Sequence, residues 1–119
     1  MSDTIDFAKM DGLVPAIVQD AKTLEVLMVG FLNETSYAKT LETGFVTFWS
    51  RTRQKLWMKG ETSGNRLRIV DAATDCDHDT LLFRVEVEGD GLVCHEGTVS
   101  CFTRPISVAA ADRQAAVQA

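Results

Sequence analysis

Apolar and polar residues alternate along this chain in short runs with abrupt changes of period. "LVPAIVQD" (13–20) reads as a first strand, and Pro15, which has no N–H for a ladder, predicts an edge position. "LEVLMVGFL" (24–32) is short and rich in branched apolar residues, the pattern of a buried strand. Asn33 is placed to cap a helix over "ETSYAKTLET", with Tyr37 and Leu41 on one face and Gly44 as its terminator. "FVTFWS" (45–50) and "KLWMKG" (55–60) flank the polar turn "RTRQ" and predict a hairpin. "NRLRIVDAATD" (65–75) predicts another strand. "TLLFRVEVEG" (80–89) alternates most cleanly, with Phe83, Val85 and Val87 on one side and Arg84, Glu86 and Glu88 on the other. "GDG" (89–91) turns the chain, and "LVCHEGTVSCF" (92–102) carries two cysteines around a glycine-containing loop. The sum is an α+β domain, mainly β-sheet with one clear helix, over residues 1–105. An alanine-rich tail over 106–119 follows, a short helix or a frayed end.

At 119 residues, with 45% hydrophobic and 24% charged, the chain has the size and composition of one globular domain. Its longest apolar stretch, "VLMVGFL", is far short of the roughly 20 residues a membrane span needs. The acidic start, "MSDTIDFAKMDG", lacks the apolar segment of a signal peptide, so a cytoplasmic location is expected. So small a chain gains from a metal or a second subunit. A net charge of −5 argues against wholesale nucleic-acid binding. The charges are also sorted. Residues 51–68 carry six of the twelve basic groups and one acid, and residues 71–96 carry eight of the seventeen acids and one base. An anionic ligand beside bound cations would explain this, and so would two solvated surfaces.

Three cysteines, Cys76, Cys94 and Cys101, do not make a disulfide framework in a reducing compartment. Three thiolates plus one open position suit a catalytic zinc ion, whereas structural zinc normally takes four protein ligands. The alternative is that each is a small buried hydrophobe. "DCDHD" sets Asp75, Asp77 and Asp79 at alternate positions. In an extended chain their carboxylates share one face and Cys76 and His78 the other, separating hard oxygen from soft sulfur ligands. A solvated acidic turn is the competing reading. The same acids and Glu86 fall on ligand positions of an EF-hand loop, but Thr80 stands where that loop needs glycine and a strand pattern follows, which excludes it. His95, beside Cys94, is placed to move protons near neutral pH, or is a surface histidine. Around "WSRTRQKLWMKGETSGN" (49–65), arginines and turn amides suit phosphates and the indoles suit a base. Core tryptophans with surface arginines would read the same, and one tryptophan at least is expected to pack inward.

Taken together, "LVPAIVQD", "VLMVGFLNE", "GFVTFWSRTRQKLWMKGETSGN", "DCDHDTLL" and "CHEGTVSCF", in this order, resemble the phosphoribosyl-AMP cyclohydrolase family of histidine biosynthesis. The likeness runs from about Leu13 to Phe102. Thr52 stands where the family usually has serine, and "MVGFLN" varies the usual strand end, but no metal ligand is lost. The family also occurs fused to a phosphoribosyl-ATP pyrophosphohydrolase domain, for which this chain is too short. The resemblance implies hydrolysis of the N1–C6 bond of the adenine ring of 1-(5-phosphoribosyl)-AMP, giving the phosphoribosylformimino-AICAR phosphate intermediate. It implies one zinc per subunit on Cys76, Cys94 and Cys101, and magnesium on Asp75, Asp77 and Asp79. It implies a homodimer sharing its zinc ligands, Cys76 from one chain and Cys94 and Cys101 from the other, and so an intertwined pair. On this basis a zinc-bound hydroxide attacks C6 and His95 relays the proton. Arg51, Arg53, Lys59, Ser63 and Asn65 are candidates for the two phosphoribosyl arms, on charge and turn chemistry. A zinc nucleobase deaminase is the nearest rival enzyme, but the "HxE…PCxxC" signature is missing. A small zinc-stabilised RNA-binding module is disfavoured by the acidic charge and the three-cysteine count.

Overall fold

Period-two alternation buries Val14, Ala16 and Val18 completely on one face of a first strand, β1 (Val14–Asp20). In the computed structural model, which describes residues 4–110, the elements that follow are β2 (Val26–Leu32), α1 (Glu34–Thr43), β3 (Thr47–Ser50), β4 (Lys55–Met58), β5 (Leu67–Thr74) and β6 (Leu81–Val87). Four strands form a mixed sheet in the order β2-β1-β6-β5, and β3 and β4 form a separate hairpin. β1 pairs antiparallel with β2 and parallel with β6, and β5 pairs antiparallel with β6. The α+β, mainly-β reading with one helix therefore holds among the described residues. The tail beyond residue 110 lies outside them.

Two strand assignments change. β1 is central, not an edge, because Pro15 precedes the β1–β6 ladder, which begins at Ala16 opposite Leu81. A proline at the start of a strand costs that ladder no donor. β2 is an edge strand rather than a buried one. Its Leu27, Met28 and Leu32 are buried while Val26 and Val29 are exposed.

Asn33 caps α1 as its sequence predicts. Its side chain accepts from the Ser36 amide at 2.8 Å, and the Ser36 hydroxyl accepts from the Asn33 amide at 3.0 Å. Gly44 ends the helix in the left-handed region at φ 79°. The helix buries Ser36 and Thr40 while Leu41 is 57% exposed, so only Tyr37 of the predicted apolar pair packs on the core. Thr40 Oγ1 donates to the Ser36 carbonyl at 2.8 Å and accepts from the Thr47 amide at 2.9 Å, tying α1 to β3.

The predicted hairpin forms, with Thr47 opposite Met58 and Ser50 opposite Lys55. It lies on the sheet through Phe48. A Cβ on Gly30 would sit 2.5 Å from that ring, so only glycine lets β2 and β3 approach this closely. Trp57 packs on the core with its ring 5.5 Å from Phe48, which meets the inward-tryptophan expectation. The alternation of β6 also holds. Phe83 and Val85 are buried, and on the outer face Arg84 meets Asp71 at 2.6 Å, Glu88 meets Arg66 at 3.0 Å and Glu86 meets Arg68. Part of the charge sorting is thus strand pairing: Arg66 and Arg68 answer acids on β6.

Candidate active site and metal centre

The segment Asp75 to Asp79 is a tight turn, so the extended case, with the acids on one face and Cys76 and His78 on the other, does not apply. Asp75 starts it by accepting the Asp79 and Thr80 amides on one carboxylate oxygen, at 3.0 and 3.2 Å. The His78 amide donates to the Asp75 carbonyl at 3.1 Å, and His78 adopts a left-handed φ of 62°. Short acids cap their own backbone, and that competes with the strand. The turn still gathers the acids: one oxygen from each of Asp75, Asp77 and Asp79 lies within 4.8 Å of the others. Hard oxygens gathered this way are ligands of the kind divalent cations take. His78 is exposed, as is Cys76.

Lys9 carries no such signal in the sequence, yet it sits in this cluster. Its ammonium lies 3.1 Å from Asp77 Oδ2 and 3.3 Å from Asp79 Oδ2. The Lys9 hydrogen bond holds the Asp77 carboxyl below its usual range, and the crowding of Asp77 on Asp79 pushes the latter up. The N-terminal segment is fastened nearby, since the Asp6 amide donates to the His78 carbonyl at 2.7 Å and Ile5 is buried.

Cys94 and Cys101 belong to a loop laid from the end of the hairpin to the edge of β2. Asn65 anchors one end, donating to the Leu92 carbonyl at 2.9 Å and accepting from the Asp90 amide at 3.1 Å. The Cys101 amide donates to the Leu27 carbonyl at 2.8 Å, and the buried Ser100 hydroxyl donates to Val26 at 2.8 Å. Within the loop, the Cys94 amide donates to Thr98 at 3.0 Å, and the Gly97 amide donates back to Cys94 at 2.9 Å. This folding brings the two thiols near enough for each to shift the other's ionisation. The Glu96 backbone N–H, with help from Thr98 and Cys101, holds the Cys94 thiol below its ordinary range. Desolvation and the neighbouring Cys94 push Cys101 up. Arg104 clamps the loop from outside with two bonds of 3.0 Å to the Glu96 carboxylate. The sulfurs are soft donors of the kind zinc takes. Within one chain, however, Cys76 does not gather with Cys94 and Cys101.

A cleft of about 600 Å³ runs between this loop and the hairpin. The loop contributes Cys94 and His95 to its lining, and the hairpin and the turn after it contribute Arg53, Lys55, Lys59 and Ser63. Lys59 lies 5.2 Å from the Trp57 ring centroid. Gly60, at φ +83°, backs directly on the Asn65 carbonyl and leaves no room for a side chain. Asn65 borders the cleft but is nearly buried, with both ends of its amide committed to residues 90 and 92. Arg51 lies elsewhere. It stacks at 4.4 Å over Phe31 and lines a separate depression with Trp49 and Gln54. No helix among the described residues is long and apolar enough to cross a membrane.

A family model described as phosphoribosyl-AMP cyclohydrolase matches residues 28–103. The phosphoribosyl-AMP cyclohydrolase of Solibacter usitatus is 58% identical over 100 residues, covering 84% of this chain and 79% of the relative. That of Desulfatibacillum aliphaticivorans is 56% identical over 98 residues, covering 82% of this chain and 78% of its own length. The histidine biosynthesis bifunctional protein HisIE of Vibrio parahaemolyticus is 55% identical over 102 residues. This chain spans 47% of that longer relative.

Proposed function

The chain belongs to the phosphoribosyl-AMP cyclohydrolase family, and on that premise we propose that it opens the adenine ring of 1-(5-phosphoribosyl)-AMP between N1 and C6. The observation that carries this reading is the single cleft lined by Cys94 and His95 together with Arg53, Lys59 and Ser63. A nucleotide with two phosphate monoesters needs cations and donors at its phosphates, and the reacting carbon needs an acid–base group beside it. The cleft supplies both. Ribosylation at N1 leaves C6 electron-poor, so addition of water there is the step to be assisted.

Cys94 and Cys101 hold a zinc ion in this reading, and Cys76 of a second copy completes the ligand set. When bound, zinc supplies a Lewis acid that lowers the pKa of a coordinated water. His95 would take a proton from the attacking water onto an imidazole nitrogen and return it to N1 as the N1–C6 bond breaks. Arg53, Lys59 and Ser63 hold the phosphoribosyl arms. Asp75, Asp77 and Asp79 hold magnesium. Asn65 acts through the loop, by fixing residues 90 and 92. The test is ring opening of phosphoribosyl-AMP followed by ultraviolet absorbance with the zinc-loaded protein. Turnover is expected, and its absence in a folded, zinc-loaded sample overturns the reading. Lys59→Ala should raise KM with a smaller change in kcat, because its charge meets the substrate before and during reaction alike.

A further inference from the structure

The carboxylate trio already has a cation. Lys9 approaches from the N-terminal segment, 68 and 70 residues away along the chain, and reaches two of its three members at 3.1 and 3.3 Å. Chance does not bring it there, because its segment is held at two other points. The Asp6 amide bonds the His78 carbonyl inside the acidic turn, and Ile5 is buried in the core. The turn and the segment that delivers the ammonium are therefore one assembly. We propose that Lys9 is a tethered counter-cation of the Asp75–Asp77–Asp79 cluster, which a divalent ion must displace to bind, so that Lys9 sets the affinity of the site for magnesium.

The inference rests on the carboxylates being the magnesium ligands. Its physical basis is competition. Two carboxylate oxygens that accept from an ammonium are not free to face a divalent ion, and a positive charge left beside that ion repels it. The tether keeps the ammonium at high local concentration, so it competes even when free cations are scarce. It also offsets the mutual repulsion of three acids when no metal is bound. Exposed ion pairs of this kind are individually weak, so the displacement is reversible and graded.

The test measures metal binding directly. Manganese, an oxygen-seeking probe for the magnesium site, is titrated into the zinc-loaded full chain at fixed ionic strength and followed by electron paramagnetic resonance. Lys9→Gln should tighten binding by roughly two- to tenfold, the size expected for removing two exposed ion pairs. Lys9→Arg, which keeps the charge, should stay near wild type. A second readout is the rate at which Lys9 is acetylated by a limiting reagent, read by peptide mass spectrometry. Magnesium should speed it, because displacement frees the amine. Unchanged or weaker manganese binding in Lys9→Gln, or acetylation indifferent to magnesium, overturns the inference. Asp77→Asn separates this from the underlying reading: manganese binding that survives Asp77→Asn removes the carboxylate site itself, and the inference with it.

Discussion

Cys94 and Cys101 are neighbours whose thiols are shifted in opposite directions. Cys94 is stabilised as thiolate by a backbone N–H, while Cys101 is held toward the neutral thiol. Both thiols must lose a proton to bind zinc, and Cys94 gives its proton up more readily than Cys101. Cys101→Ser removes one sulfur without disturbing the amide that anchors the loop to Leu27. Zinc content, read by atomic absorption, and turnover should fall together in this variant. Full turnover in the zinc-free variant would end the metal role. His95 offers the complementary test, since it is exposed on the cleft wall and supports no core contact. His95→Ala should keep its zinc while kcat drops by roughly 10²–10⁴-fold, the usual size of general acid–base assistance. Zinc content and kcat measured on the same preparation separate the two residues, because one change strips the metal and the other leaves it.

Strands and turns here are set by where backbone donors find partners. The β1–β2 turn is an example. Asp20 accepts the Lys22 amide at 2.8 Å and the Thr23 amide at 2.9 Å, and these bonds, Thr23 first, lower its carboxyl below the ordinary 3.8. A carboxylate whose folded pKa is depressed stabilises the fold in full above its unfolded pKa and loses that contribution as pH falls through the folded one. Asp20→Ala should therefore cost about 1 kcal/mol near neutral pH. The gap to wild type should narrow in acid, read by urea unfolding at a series of pH values. A gap that widened in acid would contradict the lowered pKa. The same logic separates what could be read from residue pattern alone from what could not. The β3–β4 hairpin and β6 were legible because apolar residues at period two have few other solutions. The place of β1 was not, since one proline reports on a single donor and says nothing of the ladder that starts beside it. For the acidic segment, alternation left an extended run and a turn both open. The acids' side chains prefer to cap their own amides, and a two-fold pattern does not reveal that preference.

At the scale of the molecule, the site is a meeting of segments far apart in sequence. The cysteines, His95, the acids and the basic hairpin were all visible as residue types. Nothing local says that Arg53 and Lys59 share a cleft with His95 while Arg51 turns to Phe31, or that Lys9 reaches Asp77. Those facts belong to topology, in which the loop after β6 crosses back to β2. Topology also leaves Cys76 apart from Cys94 and Cys101 within one chain. If a second copy completes each zinc site, two crippled chains should repair one another. A Cys76→Ser chain still has the loop pair, and a Cys101→Ser chain still has Cys76. In a mixed dimer one of the two sites is therefore whole and the other lacks both defective ligands. Random exchange of equal amounts makes half of the dimers mixed, each with half of its sites intact, so about a quarter of wild-type activity should return. Each variant alone should stay inactive. The measurement is turnover and zinc content after unfolding and refolding the two chains together. A site built from one chain predicts no recovery at any mixing ratio, because every site would then carry its own chain's defect.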